Sequence, residues 1–220
     1  DRTSRGLGDV YKRQMLTISR ILALGPVMPV IVIDDSDKAV PLAEALLEGG
    51  IRTIEITLRT PAALDAISAV AGHCPDITIG AGTVNRAELA HQARDAGAAF
   101  AVSPGTTQDV ISGCRAAGLP LLPGAATVSE MMALQDDGFS AVKFFPANAS
   151  GGTAFIKALA SPLPGVIVCP TGGITQDTAP DWLALPNVPC VGGSWVASQA
   201  AIADGDFSGI ATRARAAAAL

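Results

Sequence analysis

Of the four lysines in the chain, Lys12, Lys38, Lys143 and Lys157, one sits at the end of an apolar strand, in Ser140-Ala141-Val142-Lys143-Phe144-Phe145-Pro146. An amine held among apolar groups loses the stabilisation of its charge, and the neutral form is a nucleophile toward carbonyl carbon. Lys12 lies in a polar N-terminal stretch, and Lys38 and Lys157 fall in helix-like stretches where a lysine is ordinary surface. The functional reading therefore turns on Lys143.

A second set of chemical groups lies in Ile51-Arg52-Thr53-Ile54-Glu55-Ile56-Thr57-Leu58-Arg59-Thr60. Strand alternation puts Thr53, Glu55, Thr57 and Arg59 on one face and Ile54, Ile56 and Leu58 on the other. If the apolar face packs on helices, Glu55 and Arg59 point inward, where a carboxylate and a guanidinium are costly unless paired or used. The same parity sends Ala141, Lys143 and Phe145 inward and Val142 and Phe144 outward. Two bland accounts compete with catalysis here: a structural Glu55–Arg59 ion pair, and a lysine that merely neutralises Glu55. A third set is glycine-rich. Thr171-Gly172-Gly173-Ile174 and Gly192-Gly193-Ser194-Trp195 each follow an apolar run and precede a helix-like one. Such turns let backbone N–H groups approach an anion such as phosphate. Turns need glycine in any case, so either pair alone carries little weight.

These groups need elements to hold them. From Met28 onward, short β-rich runs alternate with Ala/Leu-rich amphipathic runs, the pattern of repeated βα units on a parallel sheet. Strands are expected at Met28–Ile33, Thr53–Leu58, Ile77–Gly80, Phe100–Ser103, Pro120–Leu122, Ala141–Phe145, Gly165–Cys169 and Val188–Val191. Helices are expected near Ser36–Glu48, Pro61–Ala71, Arg86–Ala96, Thr107–Ala117, Ser129–Asp136, Thr153–Ala160, Thr178–Ala184 and the C-terminal region, with starts signalled by Ser36 and by Thr60-Pro61. Eight units favour a single-domain TIM (β/α)8 barrel, whose active site gathers at the C-terminal ends of the strands and whose loops seven and eight commonly hold phosphate. The stretch Met15 to Pro26 is expected to cover the bottom of the barrel as a helix.

The remaining composition narrows the class. No run of about 18 apolar residues is present, which argues against a membrane span. Cys74, Cys114, Cys169 and Cys190 form no Cys-x-x-Cys pair, and His73 and His91 are the only histidines. That speaks against zinc or a disulfide framework and suits a reducing cytoplasm. A net charge of -5 with no basic patch argues against nucleic acid. Trp182 and Trp195 are expected to pack rather than to contact a ligand. Residues 1–14 share no periodicity with the rest. Ser4-Arg5-Gly6-Leu7-Gly8-Asp9-Val10-Tyr11-Lys12-Arg13-Gln14 looks like the in-frame translation of a sequencing-library adapter. We set it aside as a non-native tail, the alternative being a genuine extension, and expect the domain to run from 15 to 220.

In order, Glu55-Ile56-Thr57-Leu58-Arg59-Thr60, Gly80-Ala81-Gly82-Thr83-Val84, Ser103-Pro104-Gly105, Lys143-Phe144-Phe145-Pro146, Pro170-Thr171-Gly172-Gly173-Ile174 and Gly192-Gly193-Ser194-Trp195 closely resemble the 2-keto-3-deoxy-6-phosphogluconate aldolase family, which overlaps 4-hydroxy-2-oxoglutarate aldolase. The resemblance spans nearly all of Met15 to Leu220. It implies a class I aldolase, a lyase of the Entner–Doudoroff pathway that needs no metal or cofactor. Lys143 would form the Schiff base and Glu55 would act as general acid and base. Arg59 and Thr83 would hold the pyruvate-end carboxylate, with Pro104 and Phe145 shaping the pocket. Thr171 would read the stereochemistry at C4, its threonine resembling the phosphogluconate type rather than the phosphogalactonate type. Gly172, Gly173, Gly193 and Ser194 would bind the phosphate of a phosphorylated 2-keto acid. A cytoplasmic homotrimer is also implied. Pro146-Ala147-Asn148-Ala149-Ser150-Gly151-Gly152 departs from the commoner acidic version of that loop. The rival readings are a 4-hydroxy-2-oxoglutarate or phosphogalactonate aldolase, a phosphosugar epimerase or isomerase, which would need no inward lysine, and a non-catalytic phosphosugar-binding module.

Overall fold

The computed structural model describes residues 18–220; the adapter-like tail lies outside them. Among the described residues there are nine strands, separated by helices except at β5 and β6: β1 (Val27–Ile31), β2 (Thr53–Thr57), β3 (Thr78–Gly82), β4 (Phe100–Val102), β5 (Leu121–Leu122), β6 (Gly124–Ala125), β7 (Ala141–Phe144), β8 (Ile167–Pro170) and β9 (Val191–Gly193). Every pairing is parallel. A curled six-stranded sheet runs β5-β4-β3-β2-β1-β9, and a three-stranded sheet runs β6-β7-β8.

The two sheets meet at two seams. At the first, Pro123 separates β5, which pairs with β4, from β6, which pairs with β7. Proline has no N–H to give a ladder, but its carbonyl accepts the Lys143 N–H at 2.8 Å. The fifth strand expected from sequence is thus extended and broken at Pro123. At the second seam, an isolated parallel bridge joins Thr171 to Gly192.

Alternation along the strands sorts the core into two layers. Val142 and Phe144 of β7 and Ile54 and Ile56 of β2 pack outward against the helices. Phe144 stacks on Phe155 with ring centroids 4.8 Å apart and meets Trp182 at a tilt, so Trp182 is a packing residue. The opposite faces of the strands bury a separate cluster that includes Met28, Phe100, Val102, Leu122, Ala141, Cys169 and Cys190. Of the helix expected over Met15–Pro26, residues 15–17 lie outside the described residues, 18–22 are helical and 23–26 are not; Ile18, Ile21 and Leu22 belong to this inner cluster.

Several boundaries differ from expectation for physical reasons. The eighth strand begins at Val191 rather than Val188, because Val191 is the residue whose N–H reaches the Pro26 carbonyl. It then continues through Gly192 and Gly193, which pair with Met28 and Pro29. The third strand runs on to Gly82 in the same way, and the seventh starts at Ile167 and ends at Pro170. Thr60 does not cap a helix. Its hydroxyl donates to the Ile33 carbonyl, and the helix starts at Ala63. Ser36 opens a 3₁₀ turn capped by Asp35, ahead of the helix Ala39–Glu48. By contrast, Thr107 accepts the Val110 N–H at the start of Gln108–Ala117, and Thr127 with Glu130 forms a full capping box on Val128–Asp136. No helix among the described residues is long and apolar enough to cross a membrane.

Candidate active site

One cavity of about 360 Å³ opens where the strands end, lined by Lys143, Arg59, Phe145, Thr171 and the glycines of the two Gly-Gly motifs, among others. Lys143 brings an amine to its floor, and the carboxylate it meets there is not itself among the lining residues. Glu55 from β2 and Lys143 from β7 come from different sheets, yet Lys143 Nζ lies 3.5 Å from Glu55 Oε1 with both side chains only 3% exposed. That distance is at the loose end of a hydrogen bond, so the amine is not locked to the carboxylate. Nζ also stands 5.0 Å from the centre of the Phe145 ring, within reach of a cation–π contact.

The strands are cut to fit this pair. In register, Glu55 lies between Val30 of β1 and Gly80 of β3. A Cβ at Gly82 would sit 2.0 Å from Glu55 Oε1, so the carboxylate occupies the volume that any other residue at 82 would fill. Gly192 makes the same allowance for Thr171, whose Oγ1 lies 2.3 Å from where its Cβ would be, and Gly193 for the Trp195 ring. The two glycines of β9 thus make room on opposite faces of the strand, Gly192 for Thr171 on the cavity side and Gly193 for Trp195 on the helix side.

Arg59 differs from expectation. β2 ends at Thr57, the alternation lapses there, and Arg59 is an exposed residue at the rim rather than a partner of Glu55. Its Nε donates to Thr83 Oγ1 at 2.9 Å. Thr83 has φ of 57°, and among the described residues it alone holds positive φ without being glycine. For a β-branched residue this is a strained backbone of the kind that gathers at functional sites. Its hydroxyl fixes the guanidinium at the mouth. Pro104 does not line the cavity. Its carbonyl packs where a Gly124 Cβ would stand, 2.2 Å away, and the neighbouring Ser103 Oγ accepts the Gly124 N–H at 3.1 Å.

Gly172, Gly173, Gly193 and Ser194 all line the cavity. Both Gly172 (φ 111°) and Gly173 (φ 76°) have backbones that L side chains rarely adopt. Neither motif runs straight into a helix, since the following helices start only at Ala179 and Gln199. Sequence reasoning missed Val30, Val32, Ile174, Ala197, Ser198 and Gln199, which also line the cavity. Val30 and Val32 share the parity of the inward Met28 and were findable on that ground. Gln199, whose Nε2 donates to Asp34 Oδ2 at 2.6 Å, carries no such signal. Among the described residues no group of three or more His, Cys, Asp or Glu side chains converges as a metal ligand set.

Known proteins resemble this chain in sequence and in fold. A family model described as KDPG and KHG aldolase matches residues 18–213. The chain is 49% identical over 195 residues to the 2-dehydro-3-deoxy-phosphogluconate aldolase of Pseudoalteromonas atlantica, covering 89% of this chain and 91% of that one. It is 46% identical over 195 residues to the KHG/KDPG aldolase of Escherichia coli K12, covering 89% and 92%. Among solved structures, the KDPG aldolase of Legionella pneumophila, captured with pyruvate as a covalent carbinolamine, superposes with a TM-score of 0.88 at 44% identity, covering 90% and 96% of the two chains. With a lysine and a glutamate meeting at the floor of its cavity, the chain belongs to the KDPG and KHG aldolase family.

Proposed function

We propose that this protein is a class I aldolase that cleaves 2-dehydro-3-deoxy-6-phosphogluconate into pyruvate and glyceraldehyde 3-phosphate through a Schiff base on Lys143. The observation that carries this reading is the buried Lys143–Glu55 contact of 3.5 Å at the cavity floor. Two charges deprived of water repay their desolvation poorly as structure, whereas a nucleophile within reach of a base is the arrangement that covalent catalysis requires.

The chemistry follows from that contact. Glu55 takes a proton from Nζ, and the neutral amine attacks the C2 carbonyl to give a carbinolamine. Glu55 returns the proton as the C2 hydroxyl leaves as water, and the iminium that remains is an electron sink. Glu55 then removes the proton of the C4 hydroxyl. As the C4 carbonyl forms, the C3–C4 bond breaks and its electron pair moves through C2 to the iminium nitrogen. Glyceraldehyde 3-phosphate departs. Protonation of the enamine at C3 and hydrolysis of the new iminium release pyruvate and restore the lysine. Arg59, oriented by Thr83, holds the substrate carboxylate, and Phe145 covers one side of the iminium. Thr171 reads the C4 configuration, while Gly172, Gly173, Gly193 and Ser194 receive the phosphate. Pro104 acts at one remove, through its packing on Gly124.

The fold we infer for residues 15–220 is a single (β/α)8 barrel, with β5 and β6 counted as one strand through Pro123 and β8 closed on β9. The Thr171–Gly192 bridge and the Lys143 N–H to Pro123 carbonyl bond support that closure. A cytoplasmic homotrimer completes the proposal, on the strength of the family.

Borohydride reduction in the presence of pyruvate, followed by peptide mass mapping, tests the chemistry. A reduced pyruvyl adduct is expected on the peptide holding Lys143 and absent from Lys143→Ala. A folded wild type that yields no adduct at saturating pyruvate overturns it in favour of a binding module. Thr171→Val is expected to shift the preference between the C4 epimers, which a coupled assay on both substrates would read.

A further inference from the structure

Past Phe145, the stretch Pro146–Gly152 that follows β7 takes no part in the reaction above. It runs beside the Thr171-Gly172-Gly173 turn and takes up that turn's carbonyls in succession. The Ala147 N–H donates to the Thr171 carbonyl at 2.8 Å, and the Asn148 N–H to the Gly172 carbonyl at 3.2 Å. The third, Gly173, is held by the Asn148 side chain, whose Nδ2 donates to its carbonyl. The fit is close. A Cβ on Gly173 would lie 2.6 Å from Asn148 Nδ2, and one on Gly172 would lie 3.2 Å from the Ala147 nitrogen.

Peptide geometry converts this into a statement about the cavity. In a planar trans peptide the N–H points opposite to the C=O, and among the described residues the Phe145–Pro146 bond alone is cis. With the carbonyls of 171, 172 and 173 turned toward residues 147 and 148, the N–H groups of Gly172, Gly173 and Ile174 are aimed away from that loop. All three residues line the cavity. Successive amides turned to one side form an anion-binding concavity. We propose that Asn148 is a positioning residue for phosphate: by fixing the Gly173 carbonyl it sets the Ile174 N–H and completes a three-amide nest at the distal end of the cavity. Asn148 itself touches neither the reacting carbons nor the lysine. The inference deepens the reading of a phosphorylated substrate and rests on it.

The test keeps the two claims apart. Inorganic phosphate is titrated into 15N-labelled wild type, and the amide shifts of Gly172, Gly173 and Ile174 are followed beside those of Asn148→Ala and the isosteric Asn148→Asp. A carboxylate at 148 can accept but not donate, and it adds a negative charge beside the nest. The midpoint is expected to rise roughly tenfold in Asn148→Ala, about the worth of one well-aimed hydrogen bond to a charged group, and further in Asn148→Asp. In kinetics, KM for the phosphorylated substrate should rise in both variants with kcat little changed. The constants for unphosphorylated 4-hydroxy-2-oxoglutarate, and the yield of the Lys143 pyruvyl adduct, should stay at wild-type values. Equal losses on both substrates would reduce Asn148 to a structural tie. Unchanged midpoints in folded variants, or wild-type amides indifferent to phosphate, would overturn the proposal. Neither result would disturb the Schiff base, which fails only if the adduct fails.

Discussion

The lower and upper halves of the strands' inner face are built from the same elements and do opposite things. On β7, Ala141 belongs to the apolar inner cluster, and Lys143, next on the same face, is the ionisable amine of the cavity floor. On the chain leaving β8, Cys169 is packed in the lower cluster while Thr171 lines the cavity. One step along a face, about 7 Å, separates a packed interior from a reactive one. The lower half holds the strands together by apolar burial. The upper half removes two opposite charges from water and recovers little of that cost. A stable lower layer is what permits an expensive upper one.

Replacing both floor residues breaks the comparison most severely. In Lys143→Met with Glu55→Leu, aldolase turnover and the borohydride adduct are expected to vanish. Unfolding free energy should hold or rise by about 1–4 kcal/mol, as when other buried ion pairs become apolar. A clear loss of stability in denaturant melts would mean that the pair is structural after all. Phe100→Ala tests the other half. Phe100 is fully buried, and its ring lies over Gly80 where a Cβ would come within 2.3 Å. Truncation should cost about 3–5 kcal/mol, while the protein that stays folded keeps its kcat.

Gly82→Ala probes the boundary between the halves. Its methyl would need the space of Glu55 Oε1, so the carboxylate must move off the lysine. A displacement of about 1 Å is worth on the order of 100-fold in rate, and it should appear in kcat for substrates with and without phosphate. Full activity would show that Glu55 is not held where its chemistry needs it.

The smallest effect concerns thiols of the packed regions. Burial pushes the Cys114 thiol up to about 11 from 9.0, and Cys190, hydrogen-bonded to Cys169 and buried, is raised as well. A group whose proton is held more tightly when folded stabilises the fold fully below its unfolded value. That contribution is lost as pH rises from about 9 to 11, where the unfolded chain alone gives up the proton. Stability measured across that window should decline, and Cys114→Ala should flatten the slope.

Much of this division was legible beforehand, and the misses share one cause. β2, β4 and β7 fall within a residue of expectation, because alternation there is unbroken and the charged residues sit on the correct face. That was enough to bring Glu55 and Lys143 together, although they are 88 positions apart. The reading failed where backbone, rather than side chains, sets the course. Gly192 and Gly193 look like a loop, since glycine carries no alternation, yet they pair with β1. Arg59 follows the parity of Glu55 on paper but lies past the end of β2. Asn148 carries no signal of its own in the sequence, because its contact is to a carbonyl 25 residues away.

Pro123 leaves a last mark on the molecule. Without a proline N–H, the ladder between the two sheets is interrupted at that position, and the other junction rests on the isolated Thr171–Gly192 bridge and the Val168 N–H bond to the Asn187 carbonyl. Native-state hydrogen exchange should resolve the consequence. Amides of β6, β7 and β8 are expected to open together as one cooperative unit, at a lower free energy than those of β1 to β4, which remain protected until global unfolding. The lysine proposed as the nucleophile would then ride on the segment of the protein that breathes first, and the enzyme's working lifetime at elevated temperature would be set by that local opening rather than by the melting of the whole.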